Sequence, residues 1–176
     1  MLIKTLIHHG APTLAGLKVA NLFCYQGELA ELEQVREVLN SRGIHLRLLK
    51  ECKDKLIYVY RRTWLEQILA IEENQAFLRN YGHHRFNIEE LLDSSEEKMK
   101  TDAFPHEIGI LLGYPLEDVK GFIQHRGEKS LCCGHWKVYG NKEQAQQEFS
   151  LFHRCTATYV EWYQQGKPLE HLALSF

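Results

Sequence analysis

Two short runs, Ile44–Lys50 and Leu56–Arg62, carry strand-type alternation and composition, and only the polar link Glu51-Cys52-Lys53-Asp54-Lys55 separates them. A link that short leaves no room for a crossover, so the two runs form an antiparallel hairpin. Any fold for this chain has to be built around that sheet.

The flanking segments extend it. Residues 14–25 read as a strand, with Leu17, Val19 and Phe23 on one face and Lys18, Leu22 and Cys24 on the other. Gln26–Arg42 follows as a helix through Leu29, Leu32, Val35 and Leu39, ended by Gly43. Thr63–Asn80 has helical spacing, and Ile88–Lys100 reads as an acidic, mostly exposed helix. Pro105 opens a short helix through Leu112, and Pro115 opens another that runs to about His125. Ser130–Tyr139 reads as the last strand, with Cys132, Gly134, Trp136 and Val138 on one side and Cys133, His135, Lys137 and Tyr139 on the other. Asn141 caps a long final helix with the stripe Ala145, Phe149, Phe152, Thr156, Tyr159 and Tyr163, stopped by Gly166-Lys167-Pro168.

The predicted class is therefore α+β: a small, mostly antiparallel four-stranded sheet in the order β-α-β-β … β-α, a helical middle segment and a long C-terminal helix. A length of 176 residues fits one domain over 1–176, since two halves would each be marginal. With 44% hydrophobic and 25% charged residues and four prolines, neither disorder nor a fibrous repeat is expected. A formal charge of −2 gives no overall field that would draw the chain to nucleic acid or an anionic membrane. The apolar start breaks at His8-His9-Gly10, short of a signal peptide or a membrane span, which predicts a cytoplasmic protein without a membrane partner. Five cysteines, two of them adjacent, predict reduced thiols.

Four constellations can carry chemistry. If the strand at 14–25 neighbours the last strand, Lys18, Cys24, Cys133, His135, Lys137 and Tyr139 converge on one polar face, joined by Arg61 or Arg62. Such a face suits a small anionic ligand or cofactor, with Thr13 also in reach, while Cys133 and His135 are its metal-type donors. A transition metal, a haem or a flavin are the cofactors considered, though no paired CxxC, CxxCH or HxxxH motif selects one. His106 and Glu107, after Pro105, form an acid–base pair in a small-enzyme reading. Residues 106–126 have helix-turn-helix spacing, but Glu117 and Asp118 at the start of the second helix oppose DNA phosphates. Cys133, near His135 and Lys137, is the best-placed thiol nucleophile.

Several of these residues lie in segments that look familiar together. They are His9-Gly-Ala-Pro-Thr-Leu-Ala-Gly-Leu-Lys18, Val59-Tyr-Arg61, Phe104-Pro-His-Glu-Ile-Gly109, Leu112-Gly-Tyr-Pro115, Asp118-Val-Lys-Gly-Phe122, Trp136-Lys-Val-Tyr139 and Cys155. The set resembles a family of small proteins from anaerobic bacteria, the domain of unknown function 3793. The resemblance spans nearly the whole chain, and it selects Thr13, Lys18, Arg61, His106, Glu107, Lys137 and Tyr139 as the polar residues in shared segments. The function predicted is a binding or redox-accessory protein that holds an anionic small molecule, cofactor or metal on the polar sheet face.

Overall fold

The computed structural model describes residues 2–51, 54–100 and 104–175. In chain order these form α1 (Leu2–Leu14), β1 (Ala20–Tyr25), α2 (Ala30–Asn40), β2 (Ile44–Lys50), β3 (Lys55–Arg61), α3 (Arg62–Leu69) and α4 (Glu72–Arg79). Next come α5 (Ile88–Lys100), α6 (Ile108–Leu111), α7 (Leu116–Gln124), β4 (Cys132–Cys133), β5 (Lys137–Val138), α8 (Lys142–Gln164) and α9 (Leu169–Leu172). The class is α+β, as predicted.

The predicted hairpin forms, with Ile44 opposite Arg61 and Leu46 opposite Val59. Its Cys52 and Lys53 lie outside the described residues. Strand β1 adds to the other edge of β3, running from Ala20 opposite Tyr60 to Tyr25 opposite Lys55, so the sheet order is β1-β3-β2. Residues 57–61 of β3 are all buried, the signature of a central strand covered on both faces. On one face Phe23, Leu46, Ile57 and Val59 join the apolar sides of α1, α2 and α8. On the other, Ala20, Leu49, Tyr58 and Tyr60 meet the helices between β3 and β4. The sheet is thus the middle layer of three.

The strand expected over 14–25 begins only at Ala20. Leu2, Leu6, Ile7, Ala11 and Leu14, spaced three and four apart, are instead the buried stripe of α1. Gly10 lets that helix lie close on the sheet, since a methyl group there would sit 3.3 Å from Val59 Cγ1. The chain then turns through Gly16, at φ 68°, a conformation that favours glycine.

Helix α5 is less exposed than its acidic sequence suggests. Ile88, Leu91, Leu92 and Met99 are buried, while its acids point at arginines: Asp93 and Glu96 pair with Arg47, and Glu89 lies 2.7 Å from Arg62.

Ser130–Tyr139 is not a fourth strand of the sheet. It folds into a hairpin of its own, β4 against β5, with Cys132 opposite Val138 and Cys133 opposite Lys137. Gly134 is what permits the bend here, because any side chain at that position would collide with the Phe149 ring, 2.2 Å from its Cβ. Trp136 and Val138 pack with Ala145, Phe149 and Phe152 into a small separate core on α8. The cap of α8 is the predicted one, with Asn141 Oδ1 accepting from Gln144 N at 3.0 Å. Among the described residues no helix is long and apolar enough to cross a membrane.

Candidate functional site

The first group of predicted residues belongs to the end of α1. Arg61, on the last position of β3, donates from Nε to the Thr13 carbonyl at 2.7 Å and from an Nη to the carbonyls of Leu14 at 2.7 Å and Leu174 at 2.8 Å. The final carbonyls of a helix carry partial negative charge and lack intrahelical partners, so a buried guanidinium satisfies them well. Thr13 Oγ1 is turned inward, 2.7 Å from Asn21 Oδ1. Both residues are thus engaged at the end of α1, away from the residues of the 132–138 hairpin with which the sequence grouped them.

Lys18 lies in the turn between α1 and β1, not on a strand. Its residue is 7% exposed, with Nζ 2.5 Å from the Ala20 carbonyl and 5.0 Å from the centre of the Tyr114 ring. Burial pulls its pKa down to about 7. Lys18 and Lys137 line different cavities, so the common polar sheet face does not form. The cause is the separation of the 132–138 hairpin from the main sheet.

His106 and Glu107 part company as well. Glu107 is buried, in ion-pair contact with Lys98 and 3.4 Å from His83 Nε2. Burial by itself would raise this carboxyl, but hydrogen bonds from His83 and Lys98 outweigh it and hold the pKa at about 2. Such a group has no proton to give near neutrality. His106 faces outward, its ring 5.7 Å from that of Phe104 and 5.1 Å from that of Phe122. The pair is therefore split between an internal clamp and a surface ring.

The helix-turn-helix spacing is real: a methyl group on Gly109 would lie 2.8 Å from Val119 Cγ2, so the glycine sets the close approach of α6 and α7. The start of α7 is nonetheless covered. Asp118, which reads in the sequence as a charge facing outward, is buried and accepts from Trp136 Nε1 at 2.7 Å, Tyr139 N at 2.7 Å and Gly140 N at 2.8 Å. Glu117 Oε1 accepts from Asn141 N at 3.3 Å. Both acids tie the helix to the β4–β5 hairpin.

Between these two units lies a pocket of about 410 Å³. Its walls include the aromatic rings of Phe104, Tyr114, Phe122 and Trp136, and its polar groups are His106, Cys133, His135, Lys137 and Asp118, the last already engaged by its three hydrogen bonds to the hairpin side. His106, Cys133, His135 and Lys137, all singled out in the sequence, thus meet here. Cys133 is exposed and Lys137 half-buried, its Nζ donating to the Gly127 carbonyl at 2.7 Å. A lysine has three such donors, so two remain.

His135 sits deeper, its Nε2 buried without a hydrogen-bond partner among the described residues. Burial first, then the nearby Lys18 and His153, push its pKa down to about 4, so the ring is neutral at physiological pH. Tyr139 has moved out of the pocket's lining. Its ring stacks on His125 at 5.8 Å and fills the space over Gly121, where a Cβ would lie 2.4 Å from the ring. Its hydroxyl is buried and unpartnered among the described residues.

Cys133 and His135 gain no third donor. Among the described residues no group of three or more His, Cys, Asp or Glu side chains is placed to hold a metal ion. The four described cysteines, Cys24, Cys132, Cys133 and Cys155, are free. The residues that sequence reasoning missed are Asp118 and the aromatic walls. The signals available were Pro115 three residues before Asp118 and the recurrence of aromatic residues next to the shared polar ones.

No curated protein and no solved structure matches the chain. A family model described as protein of unknown function (DUF3793) matches residues 6–173, which takes in the pocket, its hairpin and both faces of the sheet. The chain belongs to the DUF3793 family.

Proposed function

We propose that this protein binds a small, flat, largely apolar molecule bearing an acidic group, in the pocket between α6–α7 and the β4–β5 hairpin. The observation that carries the reading is the combination of aromatic walls with a lysine that has no ion-pair partner among the described residues. A pocket of about 410 Å³ is in the size range of small-molecule sites. Ring faces favour a flat ligand, and Lys137, with His106 at the rim, supplies charge-assisted hydrogen bonds for an acid. This reading keeps the anionic ligand foreseen in the sequence and moves it from the sheet face to the hairpin.

Titration with anilinonaphthalene sulfonate, a flat aromatic anion that fluoresces when sheltered from water, tests the proposal. Saturable binding at one site is expected, weakened about tenfold by Lys137→Gln, which removes the charge while keeping a donor for Gly127. Phe104→Ala is expected to weaken it further. Binding that is indifferent to both substitutions overturns the reading.

A further inference from the structure

We propose that Lys18 is a carbonyl-capturing amine, and that the second cavity, which it lines, takes an apolar aldehyde or ketone as a Schiff base on Nζ. This goes beyond the hairpin pocket, from which the cavity is distinct except for the shared Trp136.

The cavity is about 390 Å³ and is walled by Trp64, Ile68, Ile71, Trp136 and Phe152. Among the described residues, Lys18 is the only amine in its lining and Glu148 the only carboxylate. Among the described residues Lys18 has no ion-pair partner; its ammonium is met only by the Ala20 carbonyl and the face of Tyr114. A merely structural lysine at this depth would be expected to carry a carboxylate partner, because an isolated buried charge is costly. Lacking one, the amine spends much of its time neutral. With a pKa near 7 it presents on the order of a thousand times more free base at neutrality than a surface lysine. A desolvated amine in an apolar pocket is the arrangement that makes lysine a nucleophile.

The groups that face it do not reverse this. Tyr114, under the amine, comes from the turn between α6 and α7 and His135 from the hairpin; α8 brings Glu148 to the cavity lining, and α3 brings Trp64, Gln67 and Ile68. His135 is uncharged near neutrality, and burial raises the Tyr114 hydroxyl to about 12.

In the reaction the Nζ lone pair attacks the carbonyl carbon and gives a carbinolamine. The carbonyl oxygen then leaves as water with two protons that originate on the amine, and a carbon–nitrogen double bond remains. No oxidant or reductant enters. The imine nitrogen then takes one proton from solvent, which gives it an N–H for which the Ala20 carbonyl is already placed and a positive charge over the Tyr114 ring. Apolar walls select an aryl or alkyl carbonyl compound over a charged one.

The test treats the intact protein with limiting benzaldehyde and sodium cyanoborohydride, which reduces only the imine, and locates the benzyl group by peptide mass mapping. Lys18 is expected to be labelled at least about tenfold faster than exposed lysines such as Lys4 and Lys142, with half-maximal rate near neutral pH. Both Lys18→Met and Lys18→Arg should abolish that preferred label. Labelling confined to exposed lysines, with Lys18 untouched, overturns the proposal on the wild-type protein alone, whatever the variants do to folding.

Discussion

Replacing Asp118 with alanine should loosen the hairpin that forms one wall of the pocket. The carboxylate accepts three hydrogen bonds, from the Trp136 indole and from two consecutive backbone amides. Hydrogen bonds to a charged acceptor contribute about 1.5–3 kcal/mol each, and a buried donor left bare costs a similar amount. The three are not additive, because amides 139 and 140 are only partly buried and can reach water once the hairpin relaxes. Trp136, at 7% exposure, cannot do so without leaving its contacts with Phe149 and Tyr114. The net loss should be about 3–5 kcal/mol, which for a chain of this size lowers the melting temperature by roughly 10 °C. Thermal unfolding followed by circular dichroism measures it, with near-ultraviolet signal reporting on Trp136. Asp118→Asn should fall between, since its oxygen serves the two amides while its NH₂ opposes the indole N–H. An alanine variant that melts within about 1 °C of wild type would refute the reasoning.

Two further outcomes follow from residues that the sequence offered as functional. Glu107, with a folded pKa of about 2 against an ordinary 4.5, contributes stability that is complete above the ordinary value and disappears as pH falls from there towards 2. Denaturant midpoints between about pH 2 and pH 6 should therefore drop more steeply for wild type than for Glu107→Gln, and parallel slopes would contradict the clamp. Arg61→Lys should cost about 2 kcal/mol or more, because one ammonium cannot span the carbonyls of Thr13, Leu14 and Leu174. It should leave sulfonate binding at the hairpin pocket unchanged, and a parallel loss of binding would place Arg61 in the site after all.

Local periodicity carried the elements whose patterns have one solution. The β2–β3 hairpin, the α6–α7 corner and the Asn141 cap each join segments that follow one another directly in the sequence. It failed where a tertiary partner decides. In α1, His8, His9, Gly10 and Pro12 hide a regular stripe, and what stabilises the helix is its burial on the sheet and α8 rather than its own propensity. In residues 130–139 alternation is genuine, but Phe149, met from α8, determines that Gly134 must bend. The site followed the same rule. The residue types were legible, and His106, Cys133, His135 and Lys137 do gather. Which polar groups are spent internally was not, because the partners of Arg61, Glu107 and Asp118 lie far away in sequence.

The packing of α1 along α8, with the Leu174 amide bonded to the Leu14 carbonyl at 3.0 Å, has a consequence in time as well as in space. Helix α1 finds this partner only after the more than one hundred residues between them have been made. At roughly 5–20 residues per second of translation, the stripe of Leu2, Leu6, Ile7, Ala11 and Leu14 waits on the order of ten seconds or more at the ribosome before residues 142–174 can cover it. During that interval the nascent chain presents an uncovered apolar segment of the kind that holdase chaperones grip, and a stop codon introduced within α8 would make the interval permanent.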